Sequence, residues 1–191
     1  MNKIFIDPAK SDWQKIVQRP AFDYKQLETK VASVLEDVRL NGDSAIKKYT
    51  KWFDGVSLDE LTVTRKEIAE AVANIDADLK AAIEMARNNI TRFHQAQKEP
   101  VVKMETVNGV LCWRRAVAIE KVGLYIPGGS APLFSTLLML GIPALLAGCK
   151  EIIVCTPPGN DGKINPVILF VAHLIGIKNI YKTGGIPAVA A

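Results

Sequence analysis

Residues 123–136 read "GLYIPGGSAPLFST", an apolar run that breaks at Pro-Gly-Gly-Ser and resumes at once with helical character. This succession of strand, glycine-rich turn and helix start sets the fold class. In a β-turn-α unit the carboxyl end of the strand and the amino end of the helix meet at one edge of the sheet, where open α/β folds bind their ligands. Free amides at the helix start carry partial positive charge suited to phosphate. Gly128 and Gly129 remove side chains that would block a close approach, and Ser130 can cap the helix or offer a hydroxyl.

The pattern recurs downstream. "VGLYIP" from Val122 is strand-like, Leu133 to Ala147 helical, "EIIVCTPP" strand-like, Ile164 to Ile175 helical, and "IYKTGG" a third strand before a helix beginning at Ala188. Such alternation predicts a parallel sheet with helical crossovers. The turns "TPPG" and "TGG" (Thr183 to Gly185) then fall on the same sheet edge as the first, aligned as a nucleotide-sized cleft. None matches the GxGxxG fingerprint or the GxxxxGK[ST] phosphate loop. From spacing alone, a phosphate-bearing ligand and purely structural turns stand as equal readings. Tyr125, an aromatic at a strand end, either stacks on a ligand ring or packs.

Upstream the chain is helical. Leu27, Val31, Val34, Leu35 and Val38 share one helix face that stops at Asn41-Gly42. Asp43 is placed to cap the next helix, through Ile46, Tyr49 and Phe53. "LTV" at Leu61 to Val63 is a candidate short strand, and Thr64 to Glu67 has capping-box spacing. A long helix starts near Asp76 or Asp78 and ends before Pro100. "VVKMETVNGVLCWRRAVAI" then reads as a β-hairpin about Asn108-Gly109, whose residues tolerate positive φ. The predicted organisation is a helical region over residues 1–100, a hairpin connector over 101–121 and a partial nucleotide-binding unit over 122–191. In fold class this is α/β: a helical N-terminal region and a β-hairpin leading into an incomplete Rossmann-like parallel sheet.

Bulk composition narrows the function classes. Of 191 residues, 49% are apolar and 23% charged, giving a folded globular class. A net charge of +4 without a block of like charges, and without a recognised motif, argues against nucleic acid as partner. The N-terminus lacks the apolar core of a signal peptide. The apolar stretch Ala131 to Ala147 is interrupted by Ser, Thr, Gly and Pro and falls short of the roughly 18 residues of a membrane span. A cytoplasmic protein with no membrane partner is expected. Three cysteines, Cys112, Cys149 and Cys155, have neither disulfide-framework nor zinc-ribbon spacing. His94 and His173 lack any HxxxH or HExxH context, so no metal ligand is assigned.

"GLYIPGGSAPLFSTLLML", "PALLAGCKEIIVCTPP" and the terminal "GGIPAVAA", together with "NGDSAIKKYTKWFDG" and "NITRFHQAQ", resemble the histidinol dehydrogenase family over essentially the whole chain. The resemblance implies a homodimeric, zinc-dependent enzyme that oxidises L-histidinol to L-histidine with NAD in histidine biosynthesis. It places Tyr125 and the Pro127-Gly128-Gly129 turn at the NAD site, Pro157 at the neighbouring turn, and Gly185 and Pro187 on the cofactor side. Where the family has glutamine this chain has Pro187, which offers neither an amide side chain nor a backbone donor. Family members run to more than twice this length, and their zinc ligands, glutamate–histidine acid/base pair and substrate-binding residues fall beyond Ala191. The resemblance therefore implies a truncated chain, with no catalytic residue of its own, that does not oxidise histidinol alone. The alternative reading is a stand-alone, non-catalytic nucleotide-binding or assembly module.

Overall fold

The computed structural model describes residues 4–19, 24–128 and 133–191. Its contacts divide the chain into two compact units, residues 1–33 and residues 34–191. In the first, a 3-10 turn at Lys10–Asp12 leads into α1, Trp13–Val17, and the Trp13 indole N–H donates to the Pro8 carbonyl at 3.1 Å. Helix α2 runs over Lys25–Asn41, with its last turns in the second unit.

Within the second unit the apolar spacing of the helices becomes a small core. Val34 and Val38 of α2 pack with Ala45, Ile46 and Tyr49 of α3 (Asp43–Phe53) and with Leu61, and Leu58, Ile186 and Ala190 close over them. Gly42, at φ 51°, makes the corner between α2 and α3, a conformation glycine adopts without a Cβ clash. The structure corrects one detail of capping. Gly42 is the N-cap and makes no side-chain cap bond, while Asp43 is the first helical residue, its charge at the positive end of the helix dipole. Lys48 pairs with Asp37, and hydrogen bonds from Lys48, Asn41 and Tyr49 hold the Asp37 carboxyl down to about 2.

Helix α4 (Arg65–Asn74) begins with the expected capping box: Thr64 Oγ1 accepts from the Glu67 amide at 3.2 Å and Glu67 accepts from the Thr64 amide at 2.8 Å. Asp76 caps α5 (Ala77–Ala96) by accepting from the amides of Asp78 and Leu79. The hairpin pairs β1 (Lys103–Val107) with β2 (Val110–Trp113). Only Gly109 of the two turn residues takes positive φ, and a register shift between Glu105 and Val107 accompanies this mixed turn.

Strands β3 (Lys121–Tyr125), β4 (Glu151–Thr156) and β5 (Asn179–Lys182) form a parallel sheet in that order. Helices α6 (Phe134–Ala147) and α7 (Pro166–Leu174) are the crossovers, and α8 (Gly185–Ala190) follows β5. The expected strand at Leu61–Val63 is a single antiparallel bridge, Thr62 to Tyr181. It is flanked by Val63 N–H to Ile180 O at 2.9 Å and Lys182 N–H to Leu61 O at 2.7 Å, so it covers the outer edge of β5. Helix α8 starts three residues before the sequence reading placed it. Pro187 is tolerated there because first-turn amides have no intrahelical acceptor to lose.

The main core joins sheet and helices. Ile126, Leu137, Val154, Val171 and Ile180 have no solvent exposure, and Ala71 of α4 and Ile83 of α5 belong to the same cluster. Each buried Val, Leu or Ile side chain contributes about 1.5–3 kcal/mol relative to an exposed one. This core fixes the carboxyl ends of the three strands in line.

Candidate functional site

The carboxyl ends of the strands carry the features the sequence reading singled out. Tyr125 ends β3, opposite Cys155 of β4, which in turn is opposite Tyr181 of β5. The Tyr125 hydroxyl nonetheless reaches the third turn, accepting from the Gly185 N–H at 3.2 Å. One side chain thus ties the end of the first strand to the start of α8, and its own hydroxyl proton stays available to donate.

Pro157 is the wedge between the turns. A Cβ added to Gly184 would sit 2.7 Å from Pro157 Cβ and 3.0 Å from Cγ, and one added to Gly128 would overlap Pro157 Cγ. The proline ring therefore occupies the space that side chains at both positions would need. Gly185, at φ 58°, is in the left-handed region that favours glycine. Glycine in the first and third turns is thus required by packing and backbone conformation.

These groups border a cavity of about 720 Å³, within the ~300–1,000 Å³ of small-molecule sites. Tyr125, Pro127, Gly128, Pro157 and Gly185 line one part of it, the β4–α7 loop with Lys163 and Asn165 another, and Asp54 at the end of α3 a third. The loop is internally braced. Gly159 N–H donates to Lys163 O at 2.8 Å, and Asp161 Oδ1 accepts from the Lys163 amide at 3.1 Å. Asn165 caps α7 by accepting from the Val167 amide at 2.9 Å, with Pro166 at the first helical position.

At the end of β5, Lys182 pairs with Glu67 at 2.6 Å, with side chains only 11% and 21% exposed. Burial pushes the Glu67 carboxyl up, but hydrogen bonds from Lys182 and Thr64 outweigh it and hold the group below its ordinary value. Burial also raises Asp54 and the Cys155 thiol. Thr183, 2% exposed, keeps a buried hydroxyl with no hydrogen-bond partner among the described residues.

Of the residues assigned to the cofactor by resemblance, five line this cavity: Tyr125, Pro127, Gly128, Pro157 and Gly185. Gly129, like Ser130, lies outside the described residues. Pro187 is buried in the first turn of α8 and is not among the lining residues. Sequence reading missed Asp54, Lys163 and Asn165. Asn165-Pro166 carried a legible signal, an N-cap residue before a first-turn proline. Asp54 carried none, since only the packing of α3 against α8 brings it to the cavity. Among the described residues, no group of three His, Cys, Asp or Glu side chains is placed to hold a metal ion, and no helix is long and apolar enough to cross a membrane.

Comparison with known proteins gives a consistent result. The family described as histidinol dehydrogenase matches residues 17–191. Histidinol dehydrogenase of Bacteroides thetaiotaomicron is 49% identical over 191 residues, covering all of this chain and 45% of that protein. The Bacteroides fragilis enzyme is 50% identical over 189 residues, 99% of this chain and 44% of its own. The crystal structure of histidinol dehydrogenase from Elizabethkingia anophelis superposes with a TM-score of 0.91 at 52% identity, covering 98% of this chain and 43% of that one. The chain spans less than half the length of the relatives it matches.

Proposed function

The chain belongs to the histidinol dehydrogenase family, and from that premise we propose that its strand-end cavity holds NAD for the oxidation of L-histidinol to L-histidine. The observation that carries this reading is the cavity itself, formed at the carboxyl ends of three parallel strands by Tyr125, the Pro157 wedge and the Gly185 turn. That is where doubly wound sheets receive nucleotides. Its volume, the exposed Tyr125 ring and the cationic Lys163 suit a dinucleotide. When bound, NAD supplies the hydride acceptor.

The residues of this chain bind and orient. Tyr125, held through its hydroxyl by Gly185, offers a fixed aromatic face for stacking. Lys163 supplies positive charge toward the phosphates, and the braced loop from Gly159 to Lys163 keeps it in the wall. Pro187 brings no amide to the cofactor, so affinity rests on the remaining contacts. Zinc, which the family implies, finds no fitting ligand set among the described residues, and we assign it no ligand in this chain. For the family-length enzyme we propose L-histidinol as the substrate and a homodimer as the assembly.

Calorimetry on the purified 191-residue chain tests the cofactor assignment. Saturable heat with NAD is expected; no heat with NAD, ADP or AMP at millimolar concentration would refute it. The same chain with zinc, NAD and histidinol should form no NADH, because no acid/base or metal-binding constellation is assigned to it. Measurable turnover would overturn that part.

A further inference from the structure

Asp54 is placed where an acid is unfavourable. It is the C-cap of α3, its N–H donating to Thr50 O at 2.9 Å, so its carboxylate lies at the negative end of the helix dipole, where a cation is preferred. Partial burial raises its pKa. Among the described residues no lysine, arginine or histidine pairs with it. An acid kept at a helix C-terminus, part-buried and without a cation, suggests a role outside the stability of the helix.

Its neighbours indicate that role. Asp54 lines the same cavity as Tyr125 and Gly185, and Ile46 and Tyr49 of α3 pack with Ile186 and Ala190 of α8 to hold it there. In dinucleotide-binding sheets an acid near the end of the second strand receives the ribose hydroxyls. Here the second strand, β4, ends in Thr156 and is followed by Pro157-Pro158, so that position holds no acid. The other acid in the wall, Asp161, already accepts from the Lys163 amide through Oδ1. Asp54, from the helical region, is the lining acid whose carboxylate makes no hydrogen bond among the described residues.

We propose that Asp54 is a specificity-determining residue that accepts the hydroxyls of the nucleotide ribose and excludes a 2′-phosphate. A carboxylate is acceptor-only and matches a vicinal diol as donor. A 2′-phosphate in the same place would put like charges together, and discrimination of this kind rests on the repulsive element as much as on the attractive one. The inference rests on the nucleotide reading of the cavity.

The test is calorimetric titration of NAD and NADP into the full 191-residue chain and its Asp54→Asn variant, with thermal unfolding of both. Wild type is expected to favour NAD by about tenfold or more, and Asp54→Asn to weaken NAD and bring the two nucleotides within about threefold of each other. The variant should unfold at the same or a higher temperature, because the unfavourable helix-end charge is gone. If wild type prefers NAD and Asp54→Asn keeps the same ratio, the inference fails while the cofactor assignment stands. If wild type binds neither nucleotide, the cofactor assignment fails and takes the inference with it.

Discussion

Substituting Gly128 by alanine, alone and together with Pro157→Ala, probes the wedge that shapes the cavity. Gly128 does not have positive φ, so alanine is allowed by the backbone; the obstacle is Pro157 Cγ, which occupies the position its Cβ would take. The ring has little room to retreat, because a Cβ at Gly184 would meet the same proline at 2.7–3.1 Å. Overpacking of this kind costs about 1–3 kcal/mol. Reduced freedom of the unfolded chain offsets about 0.4–1 kcal/mol of that, leaving a net loss of up to about 2.5 kcal/mol. With Pro157→Ala the Cγ and Cδ atoms are removed, and the nearest remaining atom, Pro157 Cβ, is 3.6 Å away, an ordinary contact. In that background Gly128→Ala should become stabilising by about 0.4–1 kcal/mol, so the sign of the effect reverses. Urea denaturation of the four variants gives the coupling directly, expected at about 1–3 kcal/mol. Thermal midpoints should move by about 2–4 °C per kcal/mol in a chain of this size. Equal effects of Gly128→Ala in both backgrounds would refute the wedge.

Two further substitutions address the polar groups at the end of β5. Lys182→Met leaves Glu67 without its cation; removing one partner of a buried pair costs about 3–5 kcal/mol, and with both side chains partly exposed we expect about 1–3 kcal/mol. Because the folded pKa of Glu67 is depressed, its contribution is present above the unfolded value near ~4.3 and is lost as pH falls through the folded value. Stability followed by denaturant titration should therefore fall less below about pH 5 in Lys182→Met than in wild type, with the Asp37 contribution common to both; parallel pH curves would contradict this. Thr183→Val replaces an unpartnered buried hydroxyl with a methyl of similar volume and should be neutral or stabilising by about 1 kcal/mol. A clear loss of stability would show that the hydroxyl has a partner.

What could be read from the sequence was what depends on neighbours in the chain. The capping box at Thr64 and Glu67, the hairpin at Asn108-Gly109 and the alternation of three strands with three helices follow from local periodicity and turn chemistry, and each is present. The reading of Gly128 as clearance for a ligand could not see Pro157, 29 positions later, filling the place of its side chain. The bridge from Thr62 to Tyr181 was legible only as a short apolar run, because its partner is distant in sequence. Asp54 was invisible for the same reason: nothing within a turn of "KWFDG" says that α3 will rest on α8.

Helix α8 joins the two levels of organisation. At its start, Gly184 lies against Pro157 and Gly185 holds the Tyr125 hydroxyl; farther along, Ile186 and Ala190 enter the cluster built from α2 and α3. The position of Gly185–Ala190 is set by what packs on it, as helix stability in proteins comes mostly from tertiary packing. The same contacts that order α8 therefore bring Asp54 and Tyr125 to one cavity. The helical cluster bears on the cavity through this short segment, so the identity of residues as far from the strand ends as Ile46 bears on the cavity's geometry.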